Sequence, residues 1–239
     1  MASVSSHQVR PFVSPFPGPA PVNANDVRGN DNTLREQFNA HDADASVHVQ
    51  SGTLASRPVT SADGSTYYAT DTGDTYSMVS GSWVLSAWAH WYGDFYDTTD
   101  QPTATINTQQ LVTLNSTGTT RGTALISGSQ IRVTYAGDYN IMFSAQVKNT
   151  DSAEHNIYFW WKKNGTNIPD SAGQITMPKK HGSGDGHMLA MWNIFVPMAA
   201  NDYVQLYWQS PSTLVSLETI PAAGSVPRVP SVIATINRI

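Results

Sequence analysis

Tyr139-Asn-Ile-Met-Phe-Ser-Ala-Gln-Val147 decides the fold. Its apolar residues recur at every second position, so Tyr139, Ile141, Phe143, Ala145 and Val147 share one face of an extended strand and that face belongs to a core. The same signal repeats along the chain. Upstream, Ile131 to Tyr135 reads as a strand, and downstream Ile157-Tyr-Phe-Trp-Trp161 runs into Lys163-Asn164-Gly165-Thr166. Asn-Gly supplies the two positive-φ residues of a type I′ hairpin turn. Met188 to Val196, Tyr203 to Gln209, Thr213 to Thr219 and Ser231 to Ile236 complete a set of roughly eight to ten strands, the spacing of an antiparallel sandwich. The expected fold class is all-β, with a C-terminal antiparallel jelly roll preceded by an extended arm, a short helix and a small β-meander.

Composition agrees. Only 13% of the 239 residues are charged, while Ser, Thr, Asn, Gly and aromatics abound, which suits strands with one packed and one neutral polar face. The formal net charge of −5 and the scattered Lys and Arg, apart from Lys179-Lys180-His181, argue against a nucleic-acid partner. With no cysteine, disulfides and thiolate metal sites are excluded. No apolar h-region lies in Met1 to Arg10 and no stretch approaches the ~18 apolar residues of a membrane span, so a soluble chain made in the cytoplasm without membrane insertion is expected.

Four segments are expected. Residues 1–31 form an extended arm, with Pro11, Pro15, Pro17, Pro19 and Pro21 spaced among Phe12, Val13, Phe16 and Val22, a composition that an external partner would order. Residues 32–52 are read as a short helix, opened by a capping box at Thr33-Leu-Arg-Glu36. Leu34, Phe38, His41, Ala45 and His48 then follow at the spacing of a two-heptad coiled-coil seam, which suggests an oligomer axis. Residues 53–88 are a small three-stranded meander with turns at Asp71 to Asp74 and Ser80 to Ser82. Residues 89–239 are the jelly roll with its connector.

Several of these stretches are familiar. Thr53-Leu-Ala-Ser-Arg-Pro58, Tyr67-Tyr-Ala-Thr-Asp-Thr-Gly73 and Gly81-Ser-Trp83 resemble a short module of tailed-bacteriophage tail-fibre and head-decoration proteins, and Asn39 to His48 is similar to the linker that leads into such modules. Ala136-Gly-Asp-Tyr-Asn-Ile-Met-Phe-Ser-Ala-Gln146, Trp161-Lys-Lys-Asn-Gly165 and Ala200-Asn-Asp-Tyr-Val204 resemble the C1q/TNF-like jelly-roll domains of phage virion proteins. The resemblance implies a homotrimer on the virion. The expected partner is then the major capsid protein or another virion protein, gripped by Phe12, Val13, Phe16 and Val22, with Leu34, Phe38, His41, Ala45 and His48 along the trimer axis. A capsid decoration, cement or head-fibre protein is the first expectation, on the outer surface of the capsid. A short tail fibre that binds a host surface glycan comes second, and a glycan-cleaving enzyme is remote.

Catalytic motifs do not appear. The sequence holds no Gly-x-Ser-x-Gly elbow, P-loop or His-Glu-x-x-His, and Gly182-Ser-Gly-Asp-Gly186 reads as a hairpin loop. Asp94, Asp97 and Asp100 at three-residue spacing suggest calcium but read better as a solvated, turn-forming run. His41 and His48 invite an ion at a trimer axis but are more often packing residues. Neither an enzyme nor a cofactor is expected. Trp83, Trp88, Trp91, Tyr92, Phe95 and Tyr96 crowd one stretch, suited to a sugar-binding surface or, better, to burial between meander and sandwich. Trp160 and Trp161 must face opposite sides of one sheet, one in the core and one on an outer or subunit-contacting face.

Overall fold

The structure is a computed structural model that describes residues 24–43 and 48–239. Two compact units meet in sequence between Trp88 and Ala89.

The first unit begins with helix α1 (Ala24–Ala43). The helix therefore starts before the expected capping box, at Ala24 instead of Thr33, and Thr33 sits inside it with its hydroxyl donating to the Gly29 carbonyl at 2.8 Å. Pro21 is the last proline of the arm, so nothing beyond it forbids helical hydrogen bonding. An Asp31–Arg35 pair at 3.4 Å, one helical turn apart, adds a small exposed contribution. The helix ends at Ala43, so the seam read across Ala45 and His48 is not one continuous helix; Ala45 lies outside the described residues.

Four strands follow: β1 (Val49–Gly52), β2 (Thr66–Ala69), β3 (Asp74–Val79) and β4 (Ser82–Ala87). β2, β3 and β4 form the expected antiparallel meander, but β1 adds a parallel strand beside β2. Val49-Gln-Ser-Gly52 is too short and polar to announce itself as a strand; its partner supplies the reason for its conformation. Ser80 and Gly81 both take positive φ, as a two-residue turn between β3 and β4 requires. The Arg-Pro and Trp elements meet in space. Trp83 Nε1 donates to the Pro58 carbonyl at 2.7 Å, and the Arg57 guanidinium lies 4.3 Å from the Tyr76 ring centre. Tyr67, Ala69 and Met78 are buried beneath.

The second unit is a two-sheet antiparallel sandwich of jelly-roll-like arrangement. Its strands are β5 (Tyr92–Asp97), β6 (Gln101–Pro102), β7 (Gln110–Leu111), β8 (Ser116–Arg121), β9 (Thr123–Ile126), β10 (Gln130–Val133) and β11 (Gly137–Asn149). Then come β12 (His155–Lys163), β13 (Thr166–Asn167), β14 (Gly173–Met177), β15 (Gly186–Met198), β16 (Tyr203–Gln209), β17 (Val215–Leu217) and β18 (Val232–Arg238). One sheet runs β15-β11-β18-β5-β8, with β17 and β6 continuing beside the far end of β11. The other runs β12-β16-β10-β9, with β13 and β14 on the free side of β12 and β7 on β16. Asn164 and Gly165 have φ of 49° and 81°, the two-residue β12–β13 turn that their sequence required.

The stretch expected to be a connector is sheet. Tyr92 to Asp97 is β5, paired along its length with β18. Phe95 therefore belongs to the sandwich core, as does Trp91, which stacks on Tyr135 with ring centres 4.2 Å apart.

The two inner faces interlock through aromatic rings. Phe143 of β11 meets Phe159 at 5.3 Å, Trp192 at 4.6 Å and Trp161 at 6.1 Å, and Phe159 continues to Trp208 at 6.2 Å. Gly173 makes room for this, since a Cβ there would lie 2.6 Å from the Trp192 ring. Phe143→Ala should cost about 3–5 kcal/mol in urea unfolding. Arg132→Ala, on the outward, exposed face of β10, should stay within about 0.5 kcal/mol.

Candidate functional site

Because strand side chains alternate, β12 carries core residues Ile157, Phe159 and Trp161 on one side and Asn156, Tyr158, Trp160 and Lys162 on the other. On β16 the outward residues are Tyr203, Gln205, Tyr207 and Gln209. The ladder sets Trp160 opposite Tyr207 and Tyr158 opposite Gln209. The rings of Trp160 and Tyr207 stack with centres 6.1 Å apart and planes at 24°.

These rings are held in place. Trp160 Nε1 donates to Asn167 Oδ1 at 3.1 Å. Lys162 Nζ lies 4.2 Å from the Tyr207 ring centre and donates to Gln109 Oε1 at 2.9 Å, so this ammonium is spent on the platform itself. A wall rises from the loop between β13 and β14, where Asp170 takes a φ of 59°. Ser171 anchors that loop from below: its buried hydroxyl accepts from the Trp161 amide at 3.1 Å and donates to the Ile168 carbonyl at 2.8 Å.

Between platform and wall lies a groove of about 410 Å³ bordered by Tyr158, Trp160, Asn167, Asp170 and Gln209. A second depression of about 360 Å³ shares Tyr158 and Gln209 with it and extends to Asn107, Glu154 and Asn156. His155 borders this second part, with Nε2 2.8 Å from Asp151 Oδ2. Ser212 donates to the same carboxylate oxygen at 3.1 Å. Serine here contacts the carboxylate and not the imidazole, so the three do not stand in the order a nucleophilic triad needs.

The residues singled out in the sequence are dispersed. Asp94 and Asp97 occupy opposite faces of β5, Asp97 buried and Asp94 outward, which a spacing of three on a strand dictates. Asp97 accepts from Thr99, Thr113 and Asn115, while Asp100 accepts from the Thr219 amide at 2.8 Å. The solvated run is thus in part a buried structural knot. Among the described residues no group of three or more His, Asp or Glu is placed to hold a metal ion. His41 and His48 meet edge-to-face, ring centres 5.3 Å apart, within one chain. Leu34 and Phe38 lie on α1 and are exposed, at 56% and 68%. Phe12, Val13, Phe16 and Val22 lie outside the described residues. The crowded aromatics divide between the units: Trp83 packs in the first, Trp91 and Phe95 in the second.

The groove itself was only half visible beforehand. Trp160 next to Trp161 required one outward ring, but Asn167, Asp170 and Gln209 join it through turns and a ladder that no local pattern reveals. No known family model matches the chain, and no curated protein matches it in sequence. Among the described residues no helix is long and apolar enough to cross a membrane.

The rim of the groove should respond to acid. The hydrogen bond from His155 is the main cause that holds the Asp151 carboxyl below its ordinary 3.8; desolvation opposes it, and hydrogen bonds from Ser212 and nearby backbone amides add to the lowering. A depressed carboxyl stabilises the fold above its unfolded value, and this contribution is lost as pH falls from about 3.8 through the lower folded value. Asp151→Asn should therefore lower the Tm at pH 7, and the difference from the parent should shrink as melts are taken below that window.

Proposed function

We propose that this chain is a homotrimeric structural protein of a tailed-phage particle, decorating the capsid through its N-terminal arm and projecting the sandwich outward. The observation that carries the reading is apolar surface left uncovered on a long edge strand. β15 pairs with β11 on one side only among the described residues. Its outward residues Leu189, Met191 and Phe195 are 46%, 55% and 65% exposed, and they continue into Met142 and Ile233 on the neighbouring strands. Monomeric proteins seldom leave a contiguous apolar strip on a free edge, which is a template for association. The centre of this strip is uncharged, with Asn193 donating to Asn140 at 2.9 Å.

Exposed Leu34 and Phe38 on α1 support the same reading, because a helix this polar gains its stability from partners. The phage-like Arg57-Pro58 to Trp83 module supports the virion setting, and the Pro-rich arm suits a docking segment. Three arms on one trimer would bind a shell with multivalent avidity.

Light scattering on the full chain should give a trimer mass, and Met191→Glu with Phe195→Glu should weaken association at least about tenfold. A monomeric parent would refute the assembly. Deleting residues 1–23, which stops short of α1, should abolish binding to capsids while the remaining trimer stays folded; undiminished capsid binding by that truncation would refute the arm's role.

A further inference from the structure

We infer that the groove on the outer face of the β12–β16 sheet binds a neutral oligosaccharide, with a sugar ring stacked on the Tyr158 and Trp160 rings. The aromatic surface is the first support. Tyr158 is 39% exposed, and Trp160 is fixed in orientation by Asn167 and by stacking on Tyr207, so an aromatic surface is in place before any ligand arrives. Apolar ring faces bordered by a few oriented polar groups are the make-up of a small-ligand site, and the two connected volumes fall in the usual range for one.

The polar groups select among ligands. Asn107, Asn156, Asn167 and Gln209 border the groove, and each amide both donates and accepts, which matches hydroxyl groups that do the same. Asn156 Oδ1 accepts from Thr176 at 2.9 Å and Asn167 Oδ1 from Trp160, which leaves the NH2 of each for a ligand oxygen. Charge excludes the anionic alternatives. Glu154 and Asp170 border the groove, no Lys or Arg does, and His155 is tied to Asp151. The Lys162 ammonium, on the same face of β12, is engaged with Gln109 and the Tyr207 ring. Phosphates, sulfated sugars and sialylated ends would meet carboxylates without a compensating cation. A protein partner is the poorer fit, because interface centres are flatter and contain fewer polar side chains than this concave surface.

The full chain should be titrated calorimetrically with maltohexaose, cellohexaose and chitohexaose, with a heparin hexasaccharide as the anionic comparison. Saturable binding of at least one neutral probe is expected, with Kd on the order of 0.1–1 mM. Trp160→Ala and Tyr158→Ala should each weaken it at least about tenfold, whereas Thr119→Ala in β8 of the other sheet should leave it unchanged. Circular dichroism and the scattering mass establish that each variant is folded and assembled as the parent. If Trp160→Ala unfolds, Gln209→Ala takes its place, with a loss of at least about threefold expected. The inference is overturned if no neutral probe binds at about 10 mM, if binding survives in the folded groove variants, or if only heparin binds. None of these results bears on the trimer, which the scattering mass reads separately.

Discussion

The interaction on which the rest depends is the contact of the Phe143 ring with Phe159, Trp161 and Trp192 across the two sheets. It joins β11, β12 and β15, the three longest strands of the sandwich, at one place. Closely packed core rings tolerate little displacement, so this contact fixes which residues of each strand look inward. Once the inward set is fixed, the outward set follows by alternation. Tyr158 and Trp160 face the groove because Phe159 and Trp161 are committed to the core. Leu189, Met191 and Phe195 face outward because Ala190 and Trp192 turn in.

The core was legible where one pattern spans many residues. Tyr139 to Val147 alternates without interruption, and every inward residue of that run is buried. The Asn164-Gly165 turn was equally plain, since two consecutive positive-φ positions leave few other readings. What escaped depends on partners distant in sequence. β1 is a strand because β2 lies beside it, and β5 reads as a Tyr-rich connector until β18 pairs with it. The start of α1 was obscured by the prolines just before it and by a Thr-x-x-Glu pattern that serves equally well in the middle of a helix.

The site was legible by halves for a related reason. A Trp-Trp pair in a strand guarantees one outward ring, but not what surrounds it. The wall depends on Ser171 reaching under the loop to the Trp161 backbone, and the far rim depends on Gln209 arriving along β16. Composition reported the right kinds of residue, aromatic and amide, without their addresses. Conversely, Asp94, Asp97 and Asp100 had a tidy spacing and no common face.

The succession of Trp160 and Trp161 on one strand places two selective pressures a single residue apart. Inward positions answer to the packing of the whole sandwich, while their immediate neighbours answer to whatever touches the outer surface. The pleat insulates one from the other, so the outer rings and amides are free to diversify while the same scaffold persists beneath. Lineages built on this chain should diverge fastest at alternate residues of β12 and along the loop above Ser171, leaving a period-two record of that history in the strand.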